Sequence, residues 1–275
     1  MAASDVPGEW TAPTQPFPTK PAPFERQGVF EDYLFDLTPE LEAEALEILS
    51  KFRYGPLYTP PSVATEEGTK GTLAMPGSLG GANWPGASVD PETGILYVTS
   101  AAEISILALA PPDPERSSMD FVRMSRLPGL DLEGAGGPRG LPLIKPPWGQ
   151  ITAIDLNRGE HLWMTPNGPG PTDHPALAGM DLPWLGQRGR PAPLLTRTLL
   201  FLGEGSTAAL SILPIAGGDA FRAYHKETGE PLWELGLEAG TSGAPMTYMA
   251  DGKQYIVVAI GDRETRGQLV ALALP

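Results

Sequence analysis

The densest group of chemically useful residues is Gly77-Ser-Leu-Gly-Gly-Ala-Asn-Trp-Pro-Gly86. Its glycines let backbone approach a flat ligand closely, the Trp84 indole offers a stacking face, and the Asn83 amide can donate and accept hydrogen bonds. The pattern suits holding a planar molecule; it contains no acid or base to act on one. Asp173-His174-Pro175 places a proton-transfer group beside a carboxylate. No third group lies near in sequence to complete a triad, and solvated loop residues are the commoner outcome for such a pair, so His174 is not read as catalytic. The chain has no Cys, which removes thiolate nucleophiles, thiolate metal sites and disulfides together and leaves the redox compartment unspecified. Thirty-three acidic against 19 basic residues give a net charge of −14. Phosphate backbones and anionic lipid surfaces should be repelled, which argues against a nucleic-acid partner.

The elements that must position these residues announce themselves by repetition. In Lys145 to Trp163, Ile151 and Ala153 lie in a strand, Asp155 to Gly159 form a turn, and Leu162-Trp163 resume as a second strand. Phe221 to Trp233 writes the hairpin again. Ala223 stands ten residues before Trp233 as Ala153 does before Trp163, Gly229 matches Gly159, and the tryptophans are 233 − 163 = 70 residues apart. A weaker third copy runs from Ser88 to Tyr97. A small residue admits a neighbouring sheet and an indole fills the gap, which is what radially stacked sheets require. Three unrelated hairpins in an ordinary sandwich remain the alternative.

The composition agrees: 33 Gly, 32 Pro and 19% charged residues over 275 positions favour many short strands in one large domain or two modest ones. Residues 4–24 carry Pro7, Pro13, Pro16, Pro18, Pro21 and Pro23 between Trp10, Phe17 and Phe24. Proline removes ladder donors, so an extended strap whose aromatics dock on another surface is expected. Thr38-Pro39-Glu40 starts a helix, and Leu41, Ala45, Ile48, Leu49 and Phe52 give it one apolar stripe before Gly55-Pro56 ends it. Pro193 to Leu202 reads as a buried strand pair. Three strands then run over 243–248, 254–260 and 268–274, with Asp251-Gly252 as a two-residue turn, and a fourth would be expected after them. The long loops at about 110–147 and 164–192 are expected to be lids, interface material or mobile segments. Residues 1–10 show no basic or apolar leader region, and no apolar run approaches the roughly 18 residues of a spanning helix.

With these residues set out, the chain resembles the C-terminal half of the pyrroloquinoline quinone (PQQ) dependent dehydrogenases, above all the membrane-associated glucose and quinate type. The resemblance is carried by Gly80-Gly-Ala-Asn-Trp84, Val89-Asp-Pro-Glu-Thr-Gly94, Lys145-Pro-Pro-Trp-Gly149, Gly243-Ala-Pro-Met-Thr-Tyr248 and Gly252-Lys-Gln-Tyr-Ile256, in family order from about Glu9 to Pro275. It implies an all-β fold: about half of an eight-bladed β-propeller with tryptophan-docking repeats over 57–275, plus the strap and one surface helix over 1–56. It also implies oxidation of a sugar or polyol by hydride transfer to PQQ, with Asn83 and Trp84 matching the pair that contacts the cofactor. The base, the lysine over the quinone and the calcium or magnesium ligands belong to the family's N-terminal half, so no catalytic or metal residue is assigned here. The isolated chain is expected to be inactive, and an N-terminal half-propeller chain or a second copy is expected to close the ring. A periplasmic location follows from the resemblance alone. Two departures count against an unaltered cofactor site. Gly261-Asp262 stands where glucose-type relatives have Gly-Gly-His, and Gly218 stands where an Asp is expected beside Asp219. A non-catalytic propeller-like module that binds protein surfaces, or a decayed gene fragment, is the alternative reading.

Overall fold

A computed structural model describes residues 1–78, 80–124, 136–206 and 217–274. Leu79 of the glycine-rich run and the 125–135 part of the first expected insertion lie outside the described residues. Among the described residues there is one α-helix, α1 (Pro39–Leu49), and the first strands are β1 (Ser62–Val63), β2 (Thr72–Ala74), β3 (Ala87–Asp90), β4 (Ile95–Ala101), β5 (Ser105–Ala110) and β6 (Val122–Arg123). After them come β7 (Gly149–Asp155), β8 (Glu160–Pro166), β9 (Leu194–Leu195), β10 (Leu199–Gly203), β11 (Ala220–His225), β12 (Pro231–Gly236), β13 (Met246–Ala250), β14 (Lys253–Ile260) and β15 (Gln268–Ala273). The chain divides into two compact units, one of Met1–Phe17, Arg26–Gly80 and Glu103–Lys145, the other of Pro18–Glu25, Gly81–Ala102 and Pro146–Pro275.

In the first unit α1 begins where the sequence places it. The Thr38 hydroxyl accepts from the Leu41 amide at 3.3 Å, and Leu41, Ala45 and Leu49 form the buried stripe. Arg139 ties the helix to the 138–140 turn through Glu44 at 2.7 Å. A four-stranded sheet sets β5 between β1 (parallel) and β2 (antiparallel), with β6 on β5. Of the strap's aromatics in this unit, Phe17 rests on Tyr58 with ring centroids 5.7 Å apart, but Trp10 is 80% exposed. The docking expected of Trp10 does not occur.

The second unit holds the repeats. β3, β4, β7 and β8 form one up-and-down sheet, β9 to β12 a second and β13 to β15 a third. Ala153 lies opposite Trp163 and Ala223 opposite Trp233, and each ladder shifts register immediately after the alanine, so the ten-residue spacing is a hairpin register repeated with its bulge. Tyr97, Ile151 and Ala153 of the first sheet share a fully buried cluster with Leu200, Leu202 and Tyr224 of the second. The alternate residues Phe201 and Phe221 turn to the other side and pack with Val258 and Ile260 of the third. The middle sheet is thus buried on both faces, and the three stack in chain order. A two-layer sandwich would leave one face of every sheet outside.

Trp163 shows how the seam is made. Its Nε1 donates to the Lys226 carbonyl at 3.1 Å, and its ring covers Gly229, where an added Cβ would sit 2.6 Å from Trp163 Cε3. Gly229 has φ +73°, so both its lack of a side chain and its left-handed backbone are used. Asp251 (φ 49°) and Gly252 (φ 74°) form the expected tight turn between β13 and β14. No helix of the described residues is long and apolar enough to cross a membrane.

Candidate functional site

Asn83 and Trp84 sit in a short turn that leads into β3. The Ala101 amide donates to the Gly81 carbonyl at 2.9 Å, which holds the turn to the end of β4, and the Gly86 amide closes it on the Asn83 carbonyl at 2.9 Å. Asn83 Oδ1 accepts from the Trp84 amide at 2.8 Å, which fixes the side-chain amide, while the Trp84 indole is 95% exposed. Asn83 lines a cleft with Thr99, Ser100, Gly189, Arg190 and Pro191. The sequence offered no sign of Arg190, which reaches the cleft from the 164–192 stretch, more than 90 residues away in the chain.

That stretch is not a lid. The Asn167 amide donates to the Gly149 carbonyl and the Gln187 amide to the Asn167 carbonyl, Leu185 and Gly186 donate to Pro169 and Gly168, and Trp148 donates to Leu185. A Cβ at Gly149 would overlap Gln187 backbone and one at Gly189 would overlap the Glu204 carbonyl, so these glycines let the segment lie flat against the ends of β7 and β10. Thr99 Oγ1 donates to the Pro191 carbonyl at 2.9 Å and Ser100 Oγ to Glu25 at 3.2 Å, so the cleft floor is fixed by hydrogen bonds on both sides.

The cleft is a small open notch with about 10 Å³ of cavity space, roughly room for one water molecule and far below the roughly 300 Å³ at which pockets for drug-sized molecules begin. PQQ is a flat, anionic aromatic quinone. An exposed indole face, a guanidinium and glycine backbone free of Cβ atoms fit one side of such a molecule.

Each departure from the family pattern has a structural account. Arg222 on β11 is 2% exposed and forms ion pairs of 2.6 Å with Glu204 and with Glu234, while its guanidinium lies 5.1 Å over the Trp184 ring. A Cβ added at Gly218 would overlap the Glu204 carboxylate. Glu204, from the end of β10, therefore fills the space an Asp at 218 would need and gives Arg222 its buried acid. Burial pushes the Glu204 carboxyl above its usual range, with Arg222 opposing. Asp262 turns into its own loop. Its Oδ1 accepts from the Thr265 amide at 2.6 Å and the Glu264 amide at 2.9 Å, and these bonds hold its carboxyl below the usual range.

His174 accepts at Nδ1 from the Ala176 amide at 3.1 Å and so caps the short 175–177 helix. This turn-forming role is the one its neighbours give it. Asp219 is exposed at the start of β11. Among the described residues no group of three or more His, Asp or Glu side chains gathers as metal ligands.

Residues 1–256 match the glucose/ethanol/alcohol dehydrogenase β-propeller domain, a PQQ family. Quinoprotein glucose dehydrogenase of Escherichia coli (strain K12) is 31% identical over 300 residues, 98% of this chain and 34% of that protein. Quinate/shikimate dehydrogenase (quinone) of Acinetobacter baylyi (strain ATCC 33305 / BD413 / ADP1) is 29% identical over 277 residues, 95% of this chain and 32% of that protein. The glycerol dehydrogenase large subunit of Gluconobacter oxydans (strain 621H) is 26% identical, over 98% of this chain and 38% of that protein. The solved structure of quinohemoprotein alcohol dehydrogenase from Comamonas testosteroni aligns over 81% of this chain and 32% of its own at TM-score 0.43 and 20% identity. The chain spans about a third of the length of these relatives.

Proposed function

Because the chain belongs to the glucose/ethanol/alcohol dehydrogenase β-propeller family of PQQ proteins, we propose that it forms the C-terminal part of a dehydrogenase acting on a sugar or polyol of the glucose type. Bound PQQ would supply the hydride acceptor. The role of this chain is to hold one side of the cofactor: Trp84 stacks on the ring system, Asn83 hydrogen-bonds its edge, and Arg190 balances its negative charge. A polypeptide carrying the N-terminal part of an eight-bladed ring supplies the base and the calcium or magnesium site; a second copy of this chain could close the ring but would bring neither. The reading places the protein in the periplasm. The observation that supports it most is the Asn83–Arg190 cleft, its floor held by hydrogen bonds on both sides, with the next residue in the chain, Trp84, presenting an indole that is 95% exposed.

The test mixes the purified chain with PQQ and calcium, alone and with a chain carrying the N-terminal part of a relative, and follows dye reduction by glucose. Activity is expected only in the mixture of both chains. Background rates with glucose, quinate and glycerol in both mixtures would refute the reading. Asp262, closed on its own loop where relatives place Gly-Gly-His, favours a second reading: a non-catalytic module that binds protein surfaces. Such a module would keep its partner affinity when Asn83 and Trp84 are both changed to Ala.

A further inference from the structure

The first sheet of the second unit packs its Ile151 and Ala153 face on the second sheet, yet the alternate residues of β7, Gln150, Thr152 and Ile154, are buried as well. Residues 18–25 of the proline-rich strap lie along that other face. At the far turn Lys20 Nζ donates to the Arg158 carbonyl at 3.2 Å and pairs with Glu160 at 3.3 Å. The Lys20 stem takes the seat over Gly159 (φ +67°) that Trp163 takes over Gly229, its Cβ 3.4 Å from the position of an added Cβ. His161 Nε2 bonds the Ala22 carbonyl at 2.8 Å, and the Gln150 side-chain amide donates to the Phe24 carbonyl at 2.7 Å. Pro18, Pro21 and Pro23 bring no amide hydrogen to leave unpaired on this path and narrow its backbone freedom. The strap therefore reaches the Asn83 end of the sheet as a stiff, anchored segment, and the residue it delivers there is Glu25.

Glu25 is 8% exposed. Its carboxylate accepts from Ser100 Oγ at 3.2 Å, with Gln150 Nε2 3.5 Å away, and its stem runs directly beneath Gly81, where an added Cβ would stand 3.1 Å from Glu25 Cγ and 3.2 Å from Glu25 Cβ. Gly81 is outside the left-handed region, so its backbone would accept any residue; the Glu25 stem is what leaves no room for a side chain. Gly81 and Ser100 both line the cleft with Asn83, and Ala101, next to Ser100, donates to the Gly81 carbonyl at 2.9 Å. The turn that carries Asn83 and Trp84 is thus set in height by the Glu25 stem and in place by the strand that the Glu25 carboxylate grips. Packing alone does not account for the residue type. A carboxylate this deep loses its hydration, and an apolar side chain of similar length would fill the space without that cost.

We propose that Glu25 is a positioning residue for the Asn83–Trp84 turn, holding it at the height and angle at which the two side chains meet a planar ligand, and acting through Gly81 and Ser100 rather than by contact with that ligand. The role of the turn in a quinone site is the reading proposed above, whereas its seating on Glu25 can be measured with no ligand present.

The test compares the full 275-residue chain with Gly81→Ala, Glu25→Met and Gly81→Ala/Glu25→Ala. In hydrogen exchange resolved to single amides, the Ala101 amide should exchange roughly tenfold faster in Gly81→Ala and in Glu25→Met, while the amides of β14 keep their wild-type rates. Calorimetric titration with PQQ should show binding roughly tenfold weaker in the same two variants. Glu25→Met fills the space without the carboxylate, so its Tm should not fall; a residue that only filled space would show neither the faster exchange nor the weaker binding. In Gly81→Ala/Glu25→Ala the added methyl group meets a shortened side chain, and at least half of the Gly81→Ala change in exchange, on a logarithmic scale, should be recovered. Wild-type exchange at Ala101 in Gly81→Ala or in Glu25→Met, or a double variant no slower to exchange than Gly81→Ala, would overturn the assignment. Failure of the wild-type chain to bind PQQ would instead refute the reading of the site, and the exchange rates would still decide the role of Glu25.

Discussion

Glu204→Ala puts the buried Glu204–Arg222 ion pair to the test. In the folded protein the Arg222 guanidinium is 2% exposed and has two acids, Glu204 at 8% and Glu234 at 55% exposure, both 2.6 Å away. The outer pair is screened by water and contributes little. The inner pair is not, and removing one partner of a buried ion pair costs about 3–5 kcal/mol because the remaining charge stays desolvated. Glu234 stays in place, so the lower end, about 3 kcal/mol, is expected. For a chain of this size that is a fall in Tm of about 6 to 12 °C. Urea unfolding of wild type and variant, followed by far-UV circular dichroism, gives the difference directly. The rescue decides the mechanism. Gly218 is outside the left-handed region, so Gly218→Asp in the Glu204→Ala background can return a carboxylate to the vacated space and should recover at least half of the loss. A single-variant loss below about 1 kcal/mol, or a double variant no more stable than the single, would refute the reasoning.

The seam makes a paired prediction: Trp163→Ala should cost about 2–4 kcal/mol, since it empties the gap over Gly229 and frees the Lys226 carbonyl. Trp233→Ala, at a residue 44% exposed with no glycine seat, should cost less than about 1 kcal/mol in the same urea experiment. Lys226 Nζ lies 2.7 Å from Asp90, and this bond holds the Asp90 carboxyl below its usual range. The unfolded chain then binds the proton first, so the pair's stabilisation is present above about pH 4 and is lost as pH falls through the depressed folded value. Lys226→Met should flatten that acid limb in pH-dependent thermal melts, and an unchanged limb would contradict the pairing. Trp84→Ala should leave Tm unchanged, because an indole that is 95% exposed packs on almost nothing.

What could be read from the sequence was what depends on near neighbours. The ten-residue Ala–Trp spacing is a hairpin register, the Thr38-Pro39 start is a local cap, and Asp251-Gly252 is a turn whose two residues set their own dihedrals. Arg190 joins Asn83 only because Gly149, Gly186 and Gly189 let a distant segment lie flat, and no local pattern carries that information. Glu204, just past the end of β10, and Arg222 on β11 are 18 residues apart, so their ion pair was invisible until the strands were paired. Lys20 reads as a solvated lysine, yet its stem fills a seat that a tryptophan fills one sheet further on. The docking of Trp10 failed for the converse reason: an aromatic between prolines declares that it can be buried, and whether a surface is there to receive it is a tertiary fact.

The central claim, that Asn83 and Trp84 form one wall of a quinone site, is met most directly by a calorimetric titration of PQQ into the wild-type chain and into the Asn83→Ala/Trp84→Ala double variant. Loss of one stacked ring and one hydrogen bond, about 2 kcal/mol, predicts roughly thirtyfold weaker binding by the variant. Equal affinity in the two proteins would contradict the account.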